Sequence, residues 1–313
     1  MSQVDTTTNA GQLLAAASGG RRRVGDRVFS NVAVAAAMTI LALLAGVAIF
    51  LVSEGLPALT NPDAQPFIDY VAPLAFGTVL AAAFAVVIAV PLAVAAALLI
   101  THVAPKQIAL TLGYLIDLLA AIPSIIYGLW GIFVLGPAAV PVMQWLEEKL
   151  GFIPLFEGPA SATGRTMFVA GLALAVMILP IVSAVAREVF SQTPRKLQEG
   201  AQALGATRWE MIRMTVLPFG KSSVISGAML GLGRALGETM AVTIILSVSG
   251  IVTFNLIGQS NPSTIAANIA LDFPESSGLA VNTLIATGRV LIAITLVTNM
   301  IARTIISRQN RNE

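Results

Sequence analysis

Residues 74–101 read LAFGTVLAAAFAVVIAVPLAVAAALLIT and contain no charged side chain. A segment of about 20 mainly apolar residues is long enough to cross the hydrocarbon core of a bilayer as a helix. The chain of 313 residues is 56% hydrophobic and only 11% charged, whereas soluble domains carry about 25% charged residues. This composition predicts a protein that is solvated by lipid rather than by water.

Similar apolar segments recur along the chain. They predict an all-α, polytopic helical bundle with six transmembrane helices, near residues 31–53, 74–101, 107–135, 166–186, 219–249 and 283–306. The first apolar segment is too long, and starts too late, for a cleaved signal peptide. Residues 1–30 and 307–313 are expected to be cytoplasmic tails, the first of them disordered, that flank a transmembrane domain over residues 31–306.

The distribution of Lys and Arg predicts the orientation. With six spans, one face of the membrane carries Arg21, Arg22, Arg23, Arg27, Lys106, Arg187, Arg195, Lys196, Arg208, Arg213, Lys221, Arg303, Arg308 and Arg311. The other face carries only Lys149 and Arg165, among many acidic residues. Both termini are therefore expected to be cytoplasmic. Two short helices, at residues 141–150 and 263–270, are expected on the outer face.

Several kinds of chemistry are excluded by what the chain contains. There are no cysteines and one histidine, His102, so disulfides and metal sites built on thiolates or several histidines are excluded. A net charge of +2 is too small to indicate a nucleic-acid partner. Gly220-Lys221-Ser222 resembles the end of a phosphate-binding P-loop, but Thr215 stands where that motif needs its first glycine. We therefore expect no metal site and no enzymatic activity in this chain.

Two glycine pairs in the fifth span have the GxxxG spacing: Gly227/Gly231 and Gly233/Gly237. Small residues at this spacing allow two membrane helices to approach closely. The glycines do not follow a buried strand, as a dinucleotide-binding motif requires. They predict helix packing.

The cytoplasmic loop over residues 191–218 contains the stretch RKLQEGAQALGATRWEMIRMTVLP, which begins at Arg195. Its first part predicts a short amphipathic helix with Leu197, Ala201 and Leu204 on one face. Gly205 can turn the chain, and Thr207 with Glu210 forms the pattern of a capping box for a second helix. Apolar contact surface is expected from Trp209, Ile212, Met214 and Val216. Loops between spans are usually short and polar, so this one predicts a protruding surface for a partner.

This loop resembles the EAA coupling motif of ABC importer permeases. The matching residues are Glu199, Gly200, Ala201, Gly205, Leu217 and Pro218. The sequence departs from the motif at Gly200, where the family has Ala, and at Thr215, where it has Ile. The resemblance implies the type I ABC importer permease fold, with this loop seated in a groove of a cytoplasmic ATPase subunit.

Further stretches resemble the PstC-type branch of that family, the permeases of phosphate importers. They are IPSIIYGLWG at 122–131, MILPI at 177–181, residues 199–210 and GRALGETMAV at 233–242. The resemblance implies a second, PstA-like permease, a dimeric PstB-like ATPase and an outer PstS-like phosphate-binding protein, in a bacterial inner membrane. It implies no cofactor in this chain, because ATP and Mg bind the partner ATPase.

Charged residues inside predicted spans are the candidate substrate site. Inserting Arg234 at the centre of a span costs about 3 kcal/mol on insertion scales, so we expect this residue to have a specific role. Glu238 lies four residues further along, while Arg289 and Asp117 lie in other spans. Guanidinium groups match the oxygens of phosphate, so these four residues are expected to line an oxyanion passage, with Glu238 holding Arg234 when the passage is empty.

Other interpretations remain open on the sequence. The permease could carry another oxyanion, such as sulfate, molybdate or tungstate. A proton-coupled secondary transporter would use Glu238 and Asp117 as relay groups, but it would leave the coupling loop unexplained. The charged residues could also form a structural ion-pair network that carries no substrate.

Overall fold

A computed structural model describes residues 24–60 and 66–309. The chain divides into two units, Met1–Ser53 and Glu54–Glu313. In the part that the structure describes, the only β-pairing is an isolated parallel bridge between Val248 and Asn261. The prediction of an all-α fold is confirmed.

The first unit contains most of helix α1, Val24–Gly55. Every side chain from Val28 to Phe50 is exposed, as suits a helix surrounded by lipid. The helix begins before the predicted span, so residues 24–30 of the expected N-terminal tail are helical. Residues 1–23 of that tail, and residues 310–313 of the expected C-terminal tail, lie outside the described residues.

The second unit is built from helices, most of them joined by short turns, with longer irregular connections at residues 151–166 and 246–264. The helices are α2 (Pro57–Thr60), α3 (Phe67–Leu98), α4 (Lys106–Ala120), α5 (Ser124–Trp130), α6 (Gly136–Leu150), α7 (Met167–Ser191), α8 (Arg195–Ala203), α9 (Arg208–Met211), α10 (Leu217–Leu236), α11 (Met240–Ile245), α12 (Ile265–Asp272) and α13 (Leu279–Gln309). Three π-helical turns continue or join helices: Leu99–Val103 after α3, Gly131–Leu135 between α5 and α6, and Ile212–Val216 between α9 and α10.

Five helical segments of the described chain are long and apolar enough to cross a membrane: Val28–Thr60, Phe67–Val103, Ser124–Leu150, Met167–Ser191 and Leu279–Thr304. Helix α10 has 20 residues and is therefore about 30 Å long, which is also the thickness of the hydrocarbon core. With α10 as a further crossing, the structure is compatible with six spans.

The third predicted span, residues 107–135, was wrong as a single helix. The chain leaves the helical conformation between Ala120 and Ser124. Pro123 explains the break, because proline has no N–H to donate and disfavours the helical conformation of the residue before it. The crossing instead runs over 124–150, so the separate outer helix expected at 141–150 was also wrong. The short helix expected at 263–270 is present as α12.

The fifth predicted span, residues 219–249, was also wrong as one helix. Helix α10 ends at Leu236, and the chain turns through Gly237–Thr239 before α11 begins. Residues 246–264 then form an irregular segment. This break decides the geometry of the charged residues described below.

Helix α7 lies at the centre of the second unit and packs mainly against α3 and α10. The face of α3 at its core is made of alanines that are at most 1% exposed: Ala81, Ala82, Ala85, Ala89, Ala93 and Ala97. Most of them are four residues apart and therefore share one side of the helix. Small side chains let two helix backbones approach closely in a membrane, so this face favours close packing of α3.

Glycines on α10 perform the same role against α7. A Cβ atom added at Gly227 would lie 3.0 Å from the Cβ of Val185, and one added at Gly231 would lie 3.1 Å from a methyl of Val182. The Gly227/Gly231 pair therefore packs as predicted. The prediction for Gly233/Gly237 was wrong within the described chain, because a Cβ at Gly233 would meet nothing within 4 Å and one at Gly237 would meet only the backbone of its own helix.

We predict that Gly227→Val lowers the stability of the fold by about 1–3 kcal/mol, the usual cost of overpacking. The added side chain would push against Val185, and α10 would have to move away from α7. Thermal unfolding of the detergent-purified chain measures this loss. Gly233→Val is the matched control, because the same side chain enters open space there. Equal thermal stability of the two variants would contradict the packing described here.

Candidate functional site

The coupling loop forms two helices at an angle, as predicted. Helix α8 ends at Ala203, and Gly205 has φ +90°, a left-handed conformation that favours glycine. Thr207 then caps α9: its hydroxyl accepts from the N–H of Glu210 at 3.3 Å, and its own N–H donates to the Glu210 carboxylate at 2.8 Å. This is the expected capping box.

The hydrogen bonds from Thr207, first from its N–H and then from its hydroxyl, hold the pKa of Glu210 below its ordinary value. A carboxyl group whose pKa is lowered by folding stabilises the folded form at pH values above its unfolded pKa. That contribution is lost as the pH falls through the folded pKa. The capping box is therefore complete at neutral pH.

The second helix of the loop continues into the membrane. Helix α9, the π-helical turn Ile212–Val216 and α10 follow one another without a break from Arg208 to Leu236. Pro218, which has no N–H to donate, comes just after the π-helical turn. The loop is thus the first part of the helix that carries Arg234, a connection that the sequence did not reveal.

A separate apolar cluster fixes the loop to α3 and α7. Its buried members are Ala97, Leu98, Ala186, Phe190, Ala201, Met211, Ile212 and Val216. Ala201, Ile212 and Val216 therefore face inward. The residues that extend outward are Leu197, Leu204, Trp209 and Met214, which are 53%, 90%, 62% and 60% exposed. The predicted common face of Leu197, Ala201 and Leu204 was wrong, because Ala201 is buried and both leucines are exposed.

The remaining residues of the coupling motif lie within α8 and at the start of α10. Glu199 and Gly200 lie on exposed positions of α8, and a Cβ added at Gly200 would meet nothing within 4 Å. Leu217 and Pro218 are the first two residues of α10. The exposed positions of the motif and the outward apolar side chains thus lie on one segment, which a partner protein could cover.

Arg234 lies before the break between α10 and α11, and Glu238 lies within it. Arg234 is in the last turn of α10 and exposed, whereas Glu238 is 8% exposed. The Glu238 carboxylate accepts a hydrogen bond from the N–H of Ala241 at 3.1 Å, so it caps the start of α11. The expectation that Glu238 holds Arg234 along one helix face was wrong: no ion pair joins these two described residues.

The Tyr127 hydroxyl, in α5, donates to the carbonyl of Leu119 at 2.7 Å. This hydrogen bond connects α5 to α4 across the break at Pro123.

Within the described chain, no ion pair joins Asp117 to Arg234 or Arg289, the basic residues predicted to line the passage. Asp117 forms an ion pair with Arg187 of α7. The side chain of Arg187 is 19% exposed and that of Asp117 is 56% exposed. Arg187 was expected in the cytoplasmic loop, but it lies within α7. We therefore interpret Asp117 as the residue that neutralises Arg187.

Arg289, in α13, packs against Gly55, the last residue of α1. A Cβ added at Gly55 would lie 2.6 Å from Nη2 of Arg289. That Nη2 atom is buried and has no hydrogen-bond partner among the described residues. The Arg289 side chain as a whole is half-buried. The described residues contain no group of three or more His, Asp or Glu side chains that could hold a metal ion.

This combination of an apolar helical bundle, a protruding coupling loop and unpaired arginines defines a membrane transport component. The profile of the family described as "Binding-protein-dependent transport system inner membrane component" matches residues 89–311. The chain belongs to this family. It is a multi-pass transport subunit of an ABC importer, a class that works with an ATPase and a substrate-binding protein, and it is not itself an enzyme.

Curated relatives are similar over most of the chain. The "Phosphate transport system permease protein PstC 2" of Mycobacterium tuberculosis is 45% identical over 90% of this chain and 92% of its own length. The "Phosphate transport system permease protein PstC" of Mycobacterium leprae is 48% identical over 74% of this chain and 76% of that protein. The protein of the same name from Mesorhizobium japonicum is 37% identical over 90% of each chain.

Solved structures support the fold. A chain of the bacterial alginate ABC transporter in complex with its pentasaccharide-bound periplasmic protein has a TM-score of 0.64, with 18% identity over 90% of this chain and 95% of that one. A chain of the inward-facing MetNI methionine ABC transporter has a TM-score of 0.52, with 15% identity over 78% of this chain and 95% of that one. The expected type I ABC importer permease fold is therefore confirmed.

We predict that Asp117→Asn destabilises the fold by on the order of 1 kcal/mol, because Arg187 keeps its charge but loses its ionic partner in a largely buried position. Thermal unfolding of the purified protein measures the change. Asp69→Asn, at an exposed position of α3, is the control. If Asp117→Asn is as stable as this control and loses transport instead, Asp117 belongs to the passage after all.

We predict that Gly205→Ala separates ATP hydrolysis from transport. Alanine at φ +90° costs about 1–2 kcal/mol, so the turn between α8 and α9 would relax and change the surface offered to the ATPase. ATP hydrolysis and substrate uptake are measured on the same reconstituted complex, with membrane insertion checked by yield.

Gly200→Ala is the matched control for this turn. It adds the same methyl group into open space, but within a helix, where alanine is favoured by about 1 kcal/mol. We expect uptake by this variant to stay coupled to hydrolysis. Full coupling in both variants would show that the conformation of Gly205 is not required.

Proposed function

We propose that this chain is the permease subunit of an ATP-driven importer of inorganic phosphate. The observation that carries the proposal is the 45% identity, over 90% of the chain, to a protein named as a phosphate transport system permease. The sequence also matches that branch at residues 233–242, which contain Arg234 and Glu238. Sulfate, molybdate and tungstate are the alternatives that the experiment below must distinguish.

The proposed orientation has the coupling loop and both termini in the cytoplasm. The bias of Lys and Arg supports it, as does the family's use of this loop to contact an ATPase. The proposed partners are a second, PstA-like permease, a dimeric PstB-like ATPase that binds ATP and Mg, and an outer PstS-like binding protein. No cofactor is proposed for this chain.

The proposed passage runs past Arg234. In the described chain this arginine has no ionic partner, and it is exposed at the end of a helix. A guanidinium presents up to five N–H donors in a planar fork that fits phosphate oxygens. We propose that Arg234 faces the second permease subunit across the passage, because an arginine exposed to lipid would cost several kcal/mol.

Glu238 has a different part in the proposal. Its carboxylate is fixed by the start of α11 and carries a charge that repels an unprotonated anion. Inorganic phosphate is partly protonated near neutral pH and can donate a hydrogen bond to a carboxylate, whereas sulfate cannot. The arrangement therefore favours phosphate over sulfate and prevents it from binding too tightly. Arg289 is proposed as a further cation along the passage.

We predict that Arg234→Gln abolishes phosphate uptake while the complex still assembles, because a neutral amide cannot balance the charge of the anion at low dielectric. Glu238→Gln should lower uptake less, or remove its pH dependence. Uptake of radiolabelled phosphate into proteoliposomes, with sulfate and molybdate as competitors, measures both effects. Arg303→Gln, at an exposed position near the end of α13, is the matched control.

The double variant Arg234→Gln, Glu238→Gln distinguishes a helix clamp from an anion site. If Arg234 and Glu238 only clamp helices, neutralising both would restore assembly and uptake. The geometry predicts no such rescue, because the two side chains form no ion pair. Normal uptake by the double variant would refute the proposed site, and preferred uptake of sulfate by the unmodified complex would refute the proposed substrate.

A further inference from the structure

A polar cavity of about 230 Å³ lies at one end of the bundle, apart from Arg234 and Glu238. Its lining residues are Ser161, Thr163, Arg165, Ser247 and Gln259. Each of these side chains can donate a hydrogen bond, and none of the five is acidic. Such a donor set matches an anion that has acceptor oxygens on every side.

The position of the cavity follows from α7. Arg165 comes just before this helix begins at Met167, and the coupling helix α8 follows its end at Ser191. Helix α7 has 25 residues and is therefore about 37 Å long. The cavity and the coupling loop thus lie at opposite ends of one helix that spans the membrane, and the cavity opens on the face opposite the ATPase.

A buried asparagine holds the lining in place. Asn261 is fully buried, and its Nδ2 lies 3.1, 3.2 and 3.2 Å from the carbonyl oxygens of Arg165, Ser247 and Gln259, which share its two N–H donors. Its Oδ1 accepts from the N–H of Met167 at 2.9 Å. One side chain therefore contacts the backbone at three positions, and each of these three residues also lines the cavity. The cavity is preorganised rather than an accidental gap between loops.

Arg165 is the cation of the cavity. Its Nη2 donates to the carbonyl of Leu246 at 3.3 Å, which orients the guanidinium. Within the described chain no carboxylate lies within ion-pair distance of it. The remaining N–H donors of the guanidinium are available. A second side chain, Ser161, is fully buried and contacts the Thr163 hydroxyl at 3.2 Å.

The cavity is also connected to the proposed passage. The carbonyl that orients Arg165 belongs to Leu246, the residue directly after α11. The other end of α11 is capped by Glu238. The six residues of α11, Met240–Ile245, thus link the cavity to the charged pair.

We propose that this cavity is an outer binding site for inorganic phosphate, occupied before the ion reaches Arg234. Arg165 supplies the charge, the side chains of Ser161, Thr163, Ser247 and Gln259 supply neutral donors, and Asn261 positions them. The direction of travel and the choice of phosphate rest on the proposed function.

Because the chain has no cysteine, the cavity can be tested by labelling. Ser247→Cys or Gln259→Cys is introduced into the assembled transporter in maltoside detergent, and the rate of modification by a small neutral thiol reagent is measured with and without inorganic phosphate at constant ionic strength. We expect phosphate at about four times its Kd to slow the reaction about fivefold, by the mass-action factor 1 + [L]/Kd. Arg165→Gln in the same background should remove this protection.

Glu275→Cys is the control, since Glu275 is exposed on the segment after α12 and does not line the cavity. Its labelling should not respond to phosphate. The proposal is overturned if phosphate protects neither cavity cysteine, or if protection survives Arg165→Gln. It is also overturned if phosphate-free binding protein or added phosphatidylglycerol vesicles protect while phosphate alone does not, because Arg165 would then contact a protein carboxylate or a lipid headgroup.

Phosphate uptake by the unmodified complex is measured as well, so that failure of the outer site can be distinguished from failure of the proposed function. If phosphate is transported but the cavity cysteines are not protected, only the outer site is refuted. If phosphate is neither transported nor protective, whereas another oxyanion is both, the proposed substrate is refuted and the cavity retains a role for that anion.

Discussion

The close contact between α10 and α7 is the constraint on which the other features depend. Gly227 and Gly231 leave room for the branched side chains of Val185 and Val182, so the two helices lie side by side over most of their length. In lipid there is no hydrophobic force between helices, and such contacts stabilise through dispersion forces that weaken quickly with distance. The contact fixes α10, whose first residues follow the coupling loop and whose last turn carries Arg234.

Because the helix is continuous from Arg208 to Leu236, it connects the coupling loop directly to Arg234. At 1.5 Å per residue, the capping box at Thr207 and the guanidinium of Arg234 are separated by about 40 Å of helix. A movement imposed on α9 would be carried along this helix, because the backbone hydrogen bonds of a helix resist bending. The π-helical turn at Ile212–Val216 is the one place between Arg208 and Leu236 where the described helix departs from α geometry, and such turns often mark functional positions.

The sequence predicted the features that depend on local pattern, and it missed those that depend on distant segments. Apolar length predicted helices α1, α3, α7 and α13, and the spacing of Thr207 and Glu210 was sufficient for the capping box. The break at Gly237–Thr239 is not evident in the sequence, because apolar residues continue on both sides of it. The pair formed by Asp117 and Arg187 joins α4 to α7, and no local periodicity reports that contact.

The cavity around Arg165 shows why the candidate site was only partly predictable. Its lining comes from two segments that are about eighty residues apart, and Asn261, which joins them, looks like an ordinary loop residue in the sequence. In the sequence, Arg165 bears only on the orientation, as one of two basic residues expected on the outer face. Its partners become visible only when the chain is folded.

The two proposed anion sites differ in one group, the carboxylate of Glu238, which is present near Arg234 and has no counterpart in the cavity at Arg165. This difference favours movement of an anion from the cavity to Arg234. The cavity at Arg165 has neutral donors and no carboxylate among its lining residues, so an anion that arrives from outside meets attraction alone. At the Arg234 site, the fixed carboxylate of Glu238 lies four residues further along the chain, and its negative charge weakens the binding of an anion. An ion moves through a passage only if each site holds it strongly enough to enter and weakly enough to leave. In the proposed order of sites, a site without a carboxylate followed by a site with one would favour capture of the anion at the first and its release from the second.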